Sequence, residues 1–163
     1  MVYFLLEAHE AFTPPRPKNW FGRLDKNGAK FTSTHEMFMV AELGQVIFTD
    51  VITHPCFMVS LEFKKVIEMY EPYLLFQRII LFNQKKKVSK AYYLPFLRES
   101  NPNIMRSHNA QAIVKSVIDD KVNIFIRLDL AESLLRRKLI GIGLKEVVLT
   151  DLEENQDGKK IEE

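Results

Sequence analysis

The sequence is short of several things, and each shortage excludes a class of protein. One cysteine, Cys56, stands in 163 residues, so no internal disulfide can form and the chain fits a reducing compartment. No apolar run approaches the roughly 18 residues that a membrane span needs. The opening MVYFLLEAHE has neither the basic start nor the small-residue cleavage site of a secretory signal. The expectation is a cytoplasmic protein without a membrane partner. Charge of one sign is scarce too: 23 Lys and Arg against 21 Asp and Glu leave +2. A dedicated nucleic-acid binder shows a stronger basic excess. Six glycines and seven prolines exclude collagen-like and low-complexity chains.

Signatures of chemistry are equally sparse. There is no G-x-S-x-G, no G-x-G-x-x-G and no phosphate-binding loop. The histidines are His9, His35, His54 and His108, and no two lie four apart, as a zinc-binding helix face requires. Cys56 as a nucleophile needs a base beside it, and His54 is the nearest by sequence. The simpler reading is a small buried thiol between Pro55 and Phe57. Gly141-Ile142-Gly143 follows a helical pattern, so it fits a helix end better than a dinucleotide turn. No catalytic, cofactor-binding or metal-binding residue is nominated, and no cofactor is expected.

What remains is 47% hydrophobic and 27% charged, the composition of a folded domain. Residues 1–152 are expected to form one domain with its own core, and the polar segment 153–163 a disordered tail. Val2 to Ala8 reads as a strand apolar on both faces, which belongs inside a sheet. Residues 13–35, with Thr13-Pro14-Pro15-Arg16-Pro17 and Asn27-Gly28, read as a loop-rich excursion, its prolines barring helix and ladder. Met37, Val40 and Ala41 ahead of Gly44 suit a short helix, and Val46 to Phe48 a short strand that Asp50 to Ile52 could extend. Ser60 is a natural N-cap for a helix from Leu61 that Pro72 stops. Tyr73 to Phe82 and Ala91 to Leu97 read as a hairpin across the polar loop 83–89. Residues 98–109 read as a loop. The stretch 110–118 has both helical and strand spacing, whereas Val122 to Leu128 alternates as a strand. Asp129 to Glu132 has the layout of a capping box, Gly141 of a helix C′ residue, and Val147 to Leu149 of a closing strand.

Two segments share one grammar. Phe57 to Leu81 and Ile126 to Leu149 both read strand, capped helix, stop, strand, a unit common in α+β proteins. The run His54-Pro55-Cys56-Phe57-Met58-Val59-Ser60-Leu61-Glu62-Phe63, with the hairpin ending Tyr92-Tyr93-Leu94, resembles a bacterial immunity-protein family of polymorphic toxin systems. Ile124-Phe125-Ile126-Arg127-Leu128 before a capped helix, and Gly141-Ile142-Gly143-Leu144 after it, resemble the same family. The resemblance covers roughly residues 50–150 and offers no catalytic residues. It implies a small α+β protein that binds and neutralises a cognate toxin domain encoded beside it, and it favours strand over helix for 112–118.

The expected fold is therefore α+β, a mainly antiparallel sheet with a few short capped helices on one face. The expected function is non-catalytic: an immunity factor acting by occlusion, its oligomeric state left open. Candidate interface residues are Trp20, Phe21 and Arg23, because aromatics and arginine are enriched at binding hot spots. Lys85, Lys86 and Lys87 are candidates too. With Lys90, Tyr92 and Tyr93 they define the alternative, a nucleic-acid-associated module built on the Lys85–Lys90 hairpin.

Overall fold

The computed structural model describes residues 2–30, 36–41, 46–100 and 111–147. Their elements run β1 (Tyr3–Ala8), β2 (Glu36–Met39), β3 (Val51–Ile52), β4 (Met58–Val59), α1 (Leu61–Tyr70), β5 (Phe76–Asn83), β6 (Val88–Pro95), β7 (Ile113–Ile118), β8 (Lys121–Arg127), α2 (Leu128–Leu135) and β9 (Ile142–Val147). The fold is α+β. Its strands form two mostly antiparallel sheets, one in the order β7-β8-β1-β9 and the other β2-β5-β6-β4-β3. The only parallel ladder among them is β2 with β5.

Each sheet contains a split β-α-β unit. Strands β4 and β5 flank β6 and run antiparallel to it, and α1 joins them. Strands β8 and β9 flank β1 in the same way, joined by α2. The two helices pack on each other, where the Tyr70 hydroxyl reaches the Asp129 carbonyl (3.1 Å) and the Ser133 hydroxyl. The largest core cluster lies where sheets and helices meet, with Leu6, Val59, Phe63, Ile67, Ile126 and Leu130 inside it. A second cluster, with Phe38, Ile52, Met58, Ile79, Leu81 and Tyr92, fills the far face of the five-stranded sheet.

The two apolar faces of β1 have separate destinations. Leu6 and Phe4 enter the main core, and Tyr3 and Leu5 join Val114 and Phe125 on the opposite face. Helix α1 begins as its sequence indicates: the Ser60 hydroxyl accepts from the Phe63 N–H at 3.2 Å and itself donates to Asp50. Residues 113–118 are strand, closed onto β8 by a two-residue turn. Its residues Asp119 and Asp120 both have positive φ (51° and 58°), the conformation of the tight turn that matches strand twist.

Several expectations are corrected. Residues 36–39 are strand, not helix: Phe38 and Val40 point into the core while Met37 and Met39 face outward, a period of two that decides for a ladder beside β5. Gly44 lies outside the described residues. Val46 to Phe48 is not strand; of that stretch only the extension is, as Val51 and Ile52. Pro17 does join a ladder, as a bridge to Val40. The flanking Lys18 N–H donates to Met39 and the Ala41 N–H to Arg16, so its missing N–H is not called upon. The β5–β6 turn is 84–87, tighter than the expected loop. Asp129 does not cap α2. Arg127 occupies the N-cap position without a side-chain capping bond, and Asp129 instead takes its guanidinium at 2.8 Å. Helix α2 ends at Leu135, and Lys138, not Gly141, takes the left-handed conformation nearest its end. The loop 98–109 is described only to Ser100, whose N–H donates to Lys115, and Val148, Leu149 and the tail 153–163 lie outside the described residues.

Candidate functional site

Residues 9–30 cross the far face of the five-stranded sheet without a regular element, and Trp20 to Leu24 forms a turn within them. The Trp20 carbonyl accepts from the N–H groups of both Arg23 and Leu24 at 2.9 Å. Gly22 takes φ 79°, a conformation that costs a side-chain-bearing residue energy. Leu24 is buried and anchors the turn in the second core cluster. Arg23 closes the other side: its guanidinium lies 4.1 Å from the centre of the Phe38 ring and donates to Glu36 (2.6 Å) and to the Met37 carbonyl (3.1 Å). Trp20 is half-buried, its ring meeting those of Phe21 and His54 edge to face.

The turn thus holds the side chains of Trp20, Arg23 and Leu24 and leaves the Phe21 ring outside. Phe21 is 89% exposed, and Met37 on the adjoining strand is 55% exposed. The structure brings the sequence-nominated Trp20, Phe21 and Arg23 together as one feature. Met37 meets this feature through its backbone, its carbonyl accepting from Arg23, and its exposure was missed because residues 37–43 read as helix. The alternation Met37, Phe38, Met39, Val40 was the signal that could have found it.

The lysine hairpin divides. Lys85, Lys86 and Lys87 are exposed at the β5–β6 turn, held by the Lys86 N–H bond to Asn83 (3.1 Å) and the positive φ of Lys87. Lys90 is drawn away from them toward Asp50, at 3.9 Å. Tyr92 is fully buried and donates its hydroxyl to the Thr49 carbonyl at 2.7 Å. Burial, seconded by the Asp50 and Glu62 charges, raises the phenol far above its ordinary pKa. Tyr93 packs on the main core beneath the Lys64 ammonium. Neither ring lies open beside the three tip lysines.

Cys56 sits in the second core cluster, and burial, with the Asp25 charge adding, pushes its thiol up to about 12. A thiol held protonated at neutral pH is not a nucleophile. His54 lies outside that core, on the surface against Trp20. His9 is exposed and accepts from the Ala11 N–H through Nδ1 (3.1 Å), and His35 and His108 lie outside the described residues. Among the described residues no group of three or more His, Cys, Asp or Glu is placed to hold a metal ion. No helix among them is long and apolar enough to cross a membrane.

One functional-looking group was not foreseen and is architectural. The Asp50 carboxylate accepts from the Ser60 hydroxyl (2.6 Å) and from the Ile140 N–H (2.5 Å), tying the start of α1 to the chain beyond α2. Gly141 follows that contact, and a Cβ placed there would lie 2.7 Å from Thr49 Cγ2. Two open crevices complete the surface. One, of about 290 Å³, lies between Tyr73, Leu75, Phe96 and Arg98. The other, of about 270 Å³, has Phe57 and Ile124 in its wall and Glu7, Glu10, Lys26 and Lys121 around it. The chain matches no protein-family model, no curated protein and no solved structure.

Proposed function

We propose that this chain is a non-catalytic binding protein, an immunity factor that neutralises a cognate bacterial toxin domain in the cytoplasm by occluding it. The observation that supports this reading is Phe21. A large apolar ring held in water is unfavourable by itself, at roughly 25 cal/mol per Å² of exposed apolar surface. Here it stands on a turn already fixed by Leu24, Arg23 and Gly22. A ring pre-positioned in this way loses little freedom on docking, and such residues dominate the energetics of protein interfaces. Occlusion needs a complementary surface of about 1,200–2,000 Å² in total and no chemistry from the inhibitor.

The nucleic-acid reading has weaker support. Stacking needs rings that face solvent along a basic groove, and beside Lys85–Lys87 the nearby rings of Tyr92 and Tyr93 are packed into cores. Calorimetry of the purified chain against the C-terminal toxin domain encoded beside it tests the proposal directly. A 1:1 complex of nanomolar affinity is expected, and an absence of heat at micromolar concentrations overturns it. If nucleic acid binds instead, and Lys85→Glu with Lys87→Glu abolishes that binding, the hairpin reading replaces it.

A further inference from the structure

The charge of the molecule is unevenly placed. Residues 13–30 hold Arg16, Lys18, Arg23, Lys26 and Lys30 against the single carboxylate Asp25, a local charge of +4 in a chain whose total is +2. The rest of the chain therefore sums to −2. Two of these cations are aimed by prolines. Pro15 and Pro17 are buried, so the alternate residues Arg16 and Lys18 face solvent. Two bonds then set their order along β2: the Lys18 backbone N–H donates to the Met39 carbonyl (2.7 Å), and the Arg23 guanidinium donates to that of Met37 (3.1 Å). Arg16, Lys18 and the Phe21 turn thus follow one another along a single edge of the five-stranded sheet. Among the described residues only Arg23 of the five cations has a carboxylate partner, Glu36.

Resting on the neutralising reading above, we propose that the partner presents an apolar pocket rimmed by carboxylates. Phe21 enters the pocket, and Arg16 and Lys18 face the rim. A protein surface fits this edge better than a nucleic-acid strand does. Stacking of successive bases needs several open rings, and here Phe21 alone projects, with Trp20 half-buried behind it. Glu36 also places a carboxylate within the strip. The division of labour follows from general rules. The solvent-exposed cations, at a distance, speed encounter and are screened by salt; the desolvated ring, in contact, slows departure.

The test uses the full chain and a catalytically inactive form of the adjacent toxin domain, with rates read by surface plasmon resonance at 50 and 500 mM NaCl. Phe21→Ala is expected to weaken binding about 30-fold, chiefly through dissociation. Arg16→Glu with Lys18→Glu is expected to slow association about tenfold at 50 mM and much less at 500 mM. Arg136→Glu with Lys145→Glu, an equal charge change on the other sheet's unit, is expected to stay within about threefold, a rim-like effect. Thermal melts of each variant confirm that it folds. If wild type binds and the Phe21 and Arg16/Lys18 variants bind within threefold of it, this surface is wrong while the neutralising reading stands. If wild type does not bind, the neutralising reading itself falls and takes this one with it. If wild type binds a labelled 20-nucleotide single strand and the same variants lose that binding, the occupant is nucleic acid and the acidic-pocket proposal is overturned.

Discussion

The two halves of this molecule solve one problem by different routes. In the first unit, β3-β4-α1-β5-β6, the central strand β6 arrives from its neighbour β5 through a turn at 84–87. In the second, β7-β8-α2-β9, the central position is taken by β1, from more than a hundred residues away. The spatial order is otherwise the same: an edge strand, the strand before the helix, the inserted strand and the strand after the helix. The first unit adds β2 beyond that. The layout is therefore independent of how the central strand is connected. What both central strands share is a two-sided apolar pattern, Tyr92 and Tyr93 entering different clusters in β6 as Tyr3 and Phe4 do in β1.

The halves differ in how their helices start and are joined at one carboxylate, and substitutions can separate these features. The largest effect is expected from Asp50→Ala, because Asp50 accepts from Ser60 in one unit and from Ile140 in the other. Losing charge-assisted bonds in a buried setting costs about 3–4 kcal/mol. The urea midpoint should fall accordingly with the m-value unchanged, and a loss below about 1 kcal/mol would show that the units are not held at this point. Gly141→Ala comes next, at about 2 kcal/mol, since its φ of 83° and the nearby Thr49 both oppose a methyl group. Gly22→Ala meets open space and should cost only about 1 kcal/mol for its φ of 79°. Equal losses in the two would refute the role given to Thr49.

A third difference is chemical and belongs to the first unit alone. Cys56 ionises near 8.5 in the unfolded chain but only near 12 in the folded one. Above about pH 8.5 the unfolded state holds fewer protons, so stability is complete below that pH and declines as pH rises toward 12. The slope reaches at most about 1.4 kcal/mol per pH unit. Urea midpoints measured from pH 7.5 to 10.5 should fall less steeply in Cys56→Ala than in wild type, whatever the variant's offset at neutral pH. Parallel slopes would mean that the thiol is not held protonated.

The last contrast is between the helix starts. Ser60→Ala should cost about 1–2 kcal/mol by removing a cap that α1 uses, whereas Asp129→Ala, which loses the half-exposed Arg127 pair and the bond from the neighbouring Leu130 N–H, should cost under about 1 kcal/mol. Thermal melts of the two variants compare them directly, and an equal loss would restore Asp129 as a cap.

These contrasts show what the residues disclose. Local signals survive: the Ser60 cap, the alternation of Val122 to Leu128 and β1 with two apolar faces were all legible, as was the α+β class. Signals that depend on a distant partner do not. Asp129 looks like a cap until Arg127 claims its carboxylate, and Gly141 looks like a helix end until Thr49 approaches it. Strands β3 and β4 are two residues each, too short to show a period, and β2 is specified by β5 some forty residues on. The candidate site follows the same division. Trp20, Phe21 and Arg23 could be named from composition, but the exposure of Phe21 and the company of Met37 depend on a ladder that no short window contains.

The placement of β1 has a consequence for the order in which the molecule can be built. Of the described strands it leaves the ribosome first, yet its partners are Ile124 to Arg127 and Ile142 to Val147. The first unit has all its strands once residue 95 has emerged, and it can close while synthesis continues. Strand β1, apolar on both sides, must wait until residue 127 to complete its first ladder and until residue 147 to complete its second. Long-range pairing of this kind slows folding and leaves strand edges open to other chains. The strand made first is the last to be enclosed, and a chain cut short before β8 is one from which aggregation would begin at its own N-terminal segment.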